Sequence, residues 1–268
     1  MTLVGVGRDD ASPVFAAVET EIRRLEAIFS LYWPGSEITR LNTAGQLETA
    51  SMEFVELLGL CDVLHEATGG TFDPTVQPLW ALHAARSASG DVATRYEIAA
   101  ARERCGWPHV SRHDRSVSFD RPHMAITLNG IAQGYITDKI AALLRSFDLH
   151  DIAIDIGEVA ALGRSPSGMP WRAGISAPDG TVIKEVSLSG RALATSAPFG
   201  TLLDRAGKLG HILDPRSGLP GGLWQVVSVS AQTAALSDGL STAFCLNTRD
   251  EIDSIVAKLP GVKLEYLA

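Results

Sequence analysis

Asp238 and Thr242 stand four residues apart in VVSVSAQTAALSDGLSTAFCL (226–246), where a β-like alternation passes into a helical stretch of small residues. Positions i and i+4 of a helix share a face, so a carboxylate and a hydroxyl project together from a surface of Ala, Ser and Gly. Hard cations such as Mg²⁺ take oxygen ligands, and this pair can begin a site for one. The spacing also fits a plainer reading, in which Asp238 caps or solvates the helix start and Thr242 bonds back to the carbonyl of residue 238.

Three more segments carry residue types suited to chemistry. Gly210-His211-Ile212-Leu213-Asp214-Pro215-Arg216-Ser217-Gly218 brings a proton-transferring imidazole and a phosphate-forking guanidinium onto one short loop, although a solvated turn with a capping Asp has the same form. Leu128-Asn129-Gly130-Ile131-Ala132-Gln133-Gly134-Tyr135 passes from a strand end through glycines into a helix. Amides and a free carbonyl there can approach phosphate or metal, or the glycines can simply allow tight packing. Thr71-Phe72-Asp73-Pro74-Thr75 follows a double glycine, and its Asp-Pro pair reads on its own as a turn initiator.

The elements that must position these segments are mixed. Ser12-Pro13 carries N-cap and first-turn signals for a helix whose Val14, Val18, Ile22, Leu25 and Phe29 keep helical spacing. Ser51 caps a second helix with Phe54, Leu57, Leu58, Cys61 and Leu64 on its core face, ended by Gly69-Gly70. Thr94 and Glu97 have the form of a capping box for a shorter helix reaching about Cys105. Val117–Phe119 and Met124–Leu128 alternate as strands before a long helix over 131–147. Brief strands are expected near 152–156, 159–163, 172–176, 183–189 and 192–195. The tail reads strand 225–230, helix 233–246, helix 250–259 and strand 262–266. Strands grouped in this way favour an α+β layout with mostly antiparallel or mixed sheets flanked by helices. A Rossmann fold has little support, since no GxGxxG follows an expected strand.

At 268 residues, one domain spanning 1–268 or two closely packed lobes are both compatible with the chain. It is 46% hydrophobic and 20% charged, with no apolar run approaching the ~18 residues of a membrane span. MTLVGVGRDDASP lacks the basic start and long apolar core of a signal peptide, which points to a cytoplasmic location unless an export segment has been removed. A net charge of −8 without a basic run argues against nucleic acid and anionic membranes as partners. Cys61, Cys105 and Cys245 lie far apart without zinc or disulfide spacing and read as reduced, buried thiols.

Taken in order, TFDPTVQPLW, LNGIAQGYITDKI, LATSAPFG, GHILDPRSGLP and SVSAQTAALSDGLSTAF, preceded by RLEAIFSLYWPGSEITRLN, resemble the ApbE family of FAD:protein FMN transferases from about Arg24 to the end. The resemblance implies an ApbE-like, T-fold-related architecture. It also implies Mg²⁺-dependent cleavage of the FAD pyrophosphate, transfer of FMN to a Thr or Ser hydroxyl of a target protein, and release of AMP. Metal ligation carries over to Asp238, Thr242 and the carbonyl of Gly130, with Ser241 nearby. Contacts to FAD carry over to Tyr32, Thr71, Phe72, Asp73, Gln133, His211 and Leu213, with His211 in proton transfer or on the pyrophosphate. Tyr32 would stack on a ring of FAD, or else serve as an ordinary half-buried core residue.

The chain departs from the family pattern at four places. Thr127 stands where an Asp contacts FAD, Gln133 where a charged residue is usual, Glu158 in place of the second glycine of a pair, and Ala197 in place of a glycine. The family's Met-Gly-Thr strand beside the flavin is not evident in MTLVGVG. These departures keep two alternatives in play: an FAD pyrophosphatase with water as acceptor, and a non-catalytic flavin-binding or assembly protein.

Overall fold

The computed structural model describes residues 2–5, 7–177, 179–203 and 209–268. From the N-terminus the chain runs β1 (Thr2–Val4), α1 (Arg8–Phe29), α2 (Glu37–Ala44), β2 (Gln46–Leu47), α3 (Met52–Ala67), α4 (Gln77–Ala88) and α5 (Arg95–Arg102). It continues through β3 (Val110–His113), β4 (Ser116–Phe119), α6 (Ala132–Ser146), β5 (Ala153–Asp155), β6 (Val159–Ala161), β7 (Trp171–Ser176) and β8 (Val182–Leu188). It closes with β9 (Arg191–Ser196), β10 (Val227–Ala231), α7 (Ala234–Phe244), α8 (Arg249–Lys258) and β11 (Lys263–Leu267).

A six-stranded sheet in the order β1-β5-β6-β9-β10-β11 is antiparallel at every pairing, and β2-β4-β3 and the β7-β8 hairpin form two smaller antiparallel sheets. This is the expected α+β class. Both faces of β10 are buried, so its five residues are enclosed despite two serines. Those serines are satisfied: Ser228 Oγ lies 2.9 Å from Thr195 Oγ1, and Ser230 Oγ donates to Glu265 at 2.6 Å.

The capping signals act locally as the sequence requires. Ser51 Oγ accepts from the Phe54 N–H, and Phe54, Leu57, Leu58, Cys61 and Leu64 of α3 are buried. Thr94 and Glu97 close a complete capping box on α5, as do Thr248 and Glu251 on α8. One large apolar cluster joins α3, α7 and β10 through Phe54, Leu64, Val229, Leu240 and Phe244. A second, around Val18, Ile140, Leu144 and Ile154, seats α1 and α6 on the strands.

Three expectations are corrected. Helix α1 starts at Arg8 behind Gly7, so Pro13 lies inside it rather than in its first turn. Met124–Leu128 is extended with alternate residues buried, yet it joins no sheet. Asn42 supplies its pairing instead, its amide donating to the Ile126 carbonyl (2.9 Å) and accepting from the Ile126 N–H (2.8 Å), while the Thr127 N–H donates to Pro74 (2.8 Å). The N-terminal segment does form a strand: β1 pairs with β5 through Leu3 and Ile154. No helix among the described residues is long and apolar enough to cross a membrane.

Candidate active site

The site is organised by the crossing of α6 and α7, which only small residues permit. A Cβ on Gly134 would lie 2.4 Å from the Ala234 carbonyl oxygen, so glycine is the one residue that lets the helices meet there. At this crossing each helix caps the other. The Gly134 N–H, in the first turn of α6, donates to Asp238 Oδ2 at 3.0 Å. One turn further along α6, Asp138 accepts from the N–H groups of Ala234 (2.8 Å) and Ala235 (2.9 Å), the first residues of α7. Carboxylates at helix N-termini satisfy orphan donors and meet the positive end of the dipole.

Asp238 therefore does cap a helix, but α6 rather than its own. Thr242 does not bond back to residue 238: its Oγ1 faces the Gly130 carbonyl at 3.5 Å, and Ser241 is the residue whose hydroxyl donates to the Asp238 carbonyl (3.0 Å).

Asp238, Thr242 and Gly130 open onto one cleft of about 360 Å³, within the ~300–1,000 Å³ of small-molecule sites. Thr71, Phe72, Asp73, Thr127, Gln133, His211 and Leu213 line the same cleft. Tyr32 and Ser241 do not. Tyr32 is 84% exposed in the turn after α1, which also excludes its alternative as a core residue. Ser241 is wholly buried behind the cleft wall, 2.7 Å from Ser196 Oγ.

Local bonds fix the lining. Asp73 is the turn initiator its Asp-Pro pair announces, accepting from Thr75 N (2.8 Å) and Thr75 Oγ1 (2.5 Å), and it lines the cleft as well. Thr71 Oγ1 is tied to Asn247 Oδ1 at 2.9 Å. His211 Nδ1 lies 3.1 Å from the Thr201 carbonyl. A carbonyl only accepts, so Nδ1 carries a proton and the neutral ring keeps its lone pair on Nε2.

The lining also includes Trp80, Asn129, Glu158, Thr195 and Ser196, none of which the residue patterns nominated for a ligand. Thr195 and Ser196 end β9, and Glu158 sits in the tight β5–β6 turn. Gly157 beside it has φ +110°, and a Cβ there would meet the Gln133 side chain at 2.5 Å. The glycine of the pair that sterics demand is thus retained, and Glu158 occupies the position with room for a side chain.

Asp73, Glu158 and Asp238 give this cleft three carboxylates, and its described lining has no Lys or Arg. Burial, reinforced by the neighbouring Asp238 charge, pushes the Glu158 carboxyl well above its ordinary value, against a lowering bond from Thr195. Burial likewise raises Asp238, opposed by the Gly134 N–H and aided by Asp138. Two anions held out of water in this way are stabilised by a cation between or beside them. A carboxylate, a hydroxyl and a carbonyl form an all-oxygen donor set, which suits Mg²⁺. Among the described residues no three His, Cys, Asp or Glu side chains gather as metal ligands, so the imidazole and thiolate sets that favour zinc are not built.

An antiparallel α+β protein with an acidic, oxygen-lined cleft at two mutually capped helices is the class that fold and site define. The chain belongs to the ApbE family, whose family model matches residues 2–265. Over 242 residues it is 31% identical to a protein of Vibrio cholerae named FAD:protein FMN transferase, covering 84% of this chain and 72% of that relative. Over 233 residues it is 30% identical to one of the same name from Chlamydia pneumoniae, covering 82% and 71%. The crystal structure of the ApbE protein from Thermotoga maritima superimposes with a TM-score of 0.83 at 28% identity, covering 94% of this chain and 85% of that one.

Proposed function

We propose that this chain is an enzyme that transfers FMN from FAD to a Thr or Ser hydroxyl of a partner protein, with Mg²⁺ required and AMP released. One observation carries the reading: among the described residues the cleft lining has three carboxylates and no Lys or Arg, an arrangement that favours a bound cation beside a pyrophosphate, and oxygen donors for one converge at the α6–α7 crossing. The names of the two relatives supply the reaction class.

Asp238, Thr242 and the Gly130 carbonyl would hold Mg²⁺. When bound, it supplies the positive charge that phosphoryl transfer requires on the pyrophosphate oxygens. Phe72, Trp80 and Leu213 give the cleft apolar walls suited to a ring, and Gln133, Asn129 and Thr195 offer donors to phosphate or sugar oxygens. The acceptor oxygen attacks the phosphorus of the FMN half, the pyrophosphate P–O bond breaks, and AMP leaves. His211 Nε2, which has no partner among the described residues, would take the hydroxyl proton.

A second cavity of about 330 Å³, lined by Thr2, Glu26, Asp155 and Gly157, borders the cleft at Gln133, and FAD in the proposed pose would reach from one towards the other past that side chain. Since β1, the α6–α7 pair and the loop of His211 all contribute, residues 1–268 act as one catalytic unit.

The test is incubation with FAD and Mg²⁺, with and without a candidate acceptor protein, following AMP and covalent flavin fluorescence. Transfer gives both products in the presence of acceptor. AMP without labelled protein identifies an FAD pyrophosphatase. No AMP under either condition refutes both enzymatic readings and leaves a flavin-binding role.

A further inference from the structure

Resting on the flavin-transfer reading above, we infer that His83 is a positioning residue. Its Nε2–H pins the Asp214–Gly218 turn of the His211 loop onto α4 and so sets the width of the cleft between Trp80 and Leu213.

His83 stands on the buried face of α4, with 3% of its surface exposed. Its Nε2 lies 2.8 Å from the Gly218 carbonyl oxygen, which only accepts, so Nε2 carries a proton. Nδ1 is the one buried side-chain nitrogen or oxygen without a hydrogen-bond partner among the described residues. One of the two ring nitrogens is thus unmet in the interior, a cost that an apolar side chain at this position would avoid. The bond to Gly218 is what the imidazole supplies and a leucine does not.

That bond holds the far end of the segment carrying His211 and Leu213. After Leu213 the chain folds back on itself: the Gly218 N–H donates to the Asp214 carbonyl (2.7 Å), the Asp214 N–H to Leu219 (3.0 Å) and the Gly221 N–H to Ile212 (3.0 Å). Gly218 has φ +75°, and a Cβ there would lie 2.7 Å from the Ile98 side chain and 2.9 Å from that of Arg102, both on α5. The turn is therefore seated directly on the α4–α5 pair, and Leu213 packs in the same apolar cluster as Leu79, Ile98 and Ala101. One turn beyond His83, Ser87 Oγ donates to the Leu203 carbonyl at 2.6 Å, so the same face of α4 also holds the chain on the other side of His211.

Helix α4 is at the same time a wall of the cleft. Trp80 lines the cleft from α4, while Leu213 and His211 line it from the loop. Positions i and i+3 of a helix are neighbours, so the His83 bond acts one turn from the indole. A turn released from α4 carries Leu213 away from Trp80, and these are apolar walls assigned above to a ring of FAD.

Flavin fluorescence in the presence of Mg²⁺ tests this by giving the FAD dissociation constant of wild type, His83→Leu and His83→Gln, each alongside its melting temperature. His83→Leu removes the donor and the orphaned Nδ1 together, two effects of opposite sign, so it should melt within about 4 °C of wild type. Its FAD dissociation constant should nevertheless rise about tenfold. The glutamine amide offers an N–H in place of Nε2, so His83→Gln should restore most of the affinity. An unchanged dissociation constant in His83→Leu, or a rise that His83→Gln leaves in place, would overturn the clamp while leaving the flavin reading intact. A wild type that binds no FAD would refute the flavin reading itself, and the role of His83 with it.

Discussion

Asp138→Ala removes the carboxylate on which the N-terminus of α7 rests, and Asp138 itself does not line the cleft. Asp138 accepts from Ala234 N at 2.8 Å and Ala235 N at 2.9 Å, and both alanines are buried, so water cannot replace the lost acceptor. An orphaned buried donor costs about 1–3 kcal/mol. The Thr233 hydroxyl still caps Leu236 N at 3.3 Å and preserves part of the turn, so the lower half of the two-donor range applies, about 2–4 kcal/mol. For a chain of this size each kcal/mol moves the melting temperature by roughly 2–4 °C, so calorimetry should show a fall of about 4–16 °C. Asp138→Asn keeps one oxygen but turns an NH₂ group on the second N–H, and should fall between alanine and wild type. Because α7 carries Asp238 and Thr242, the Mg²⁺ concentration giving half-maximal FAD cleavage should rise in both variants. Should Asp138→Ala melt within about 1 °C of wild type with unchanged Mg²⁺ dependence, mutual capping would not hold the site together.

Asp238→Ala should abolish Mg²⁺-dependent AMP release from FAD while the protein stays folded by circular dichroism; an active or grossly unfolded variant would refute its role as cation ligand. The metal-free protein should lose stability as pH rises from about 4 through neutrality, because the folded pKa values of Asp238 and Glu158 exceed their unfolded values and the native state binds the extra protons. Each unit of difference is worth about 1.4 kcal/mol once both groups ionise. Glu158→Gln should flatten the decline and Mg²⁺ should reverse it, both read from melting temperature against pH. Gly134→Ala places a Cβ 2.4–2.7 Å from backbone atoms of Ala234 and Ala235, and backbone yields less than a side chain. A loss of about 3 kcal/mol or more in urea unfolding is expected.

Much of the scaffold is legible in the chain because its signals are local. The Ser51 cap with the apolar face of α3, and the Thr94/Glu97 box on α5, depend on residues within one or two turns, and they appear where the sequence places them. Ten of the twelve nominated site residues reach the cleft, since the segments bearing them end strands or open helices beside it. Local signals also mislead where a distant group supplies the missing partner. Alternation over Met124–Leu128 reads as a strand, but Asn42 rather than a neighbouring strand pairs Ile126. Tyr32 sits in a LYW run resembling a strand and is instead exposed in a turn. Helix α2 begins at a Ser36 cap without a long apolar face to announce it, and α4 carries Pro78 in its first turn, where proline is tolerated but reads as a breaker.

The sequence by itself determined the α+β class, most helix starts, and the set of oxygen-bearing segments available for a cation and a dinucleotide. The tertiary structure alone decided how those oxygens are used. Asp238 and Asp138 look alike in the sequence, as single acids in small-residue helices. In the fold one reaches across 104 positions to the Gly134 N–H and opens onto the cleft, while the other reaches across 96 positions to Ala234 and is absent from its lining. Helix-end donors accept any carboxylate brought within about 3 Å, and nothing in the local pattern specifies which one arrives. That choice belongs to the close α6–α7 crossing, and with it the choice of which aspartate remains to meet a metal.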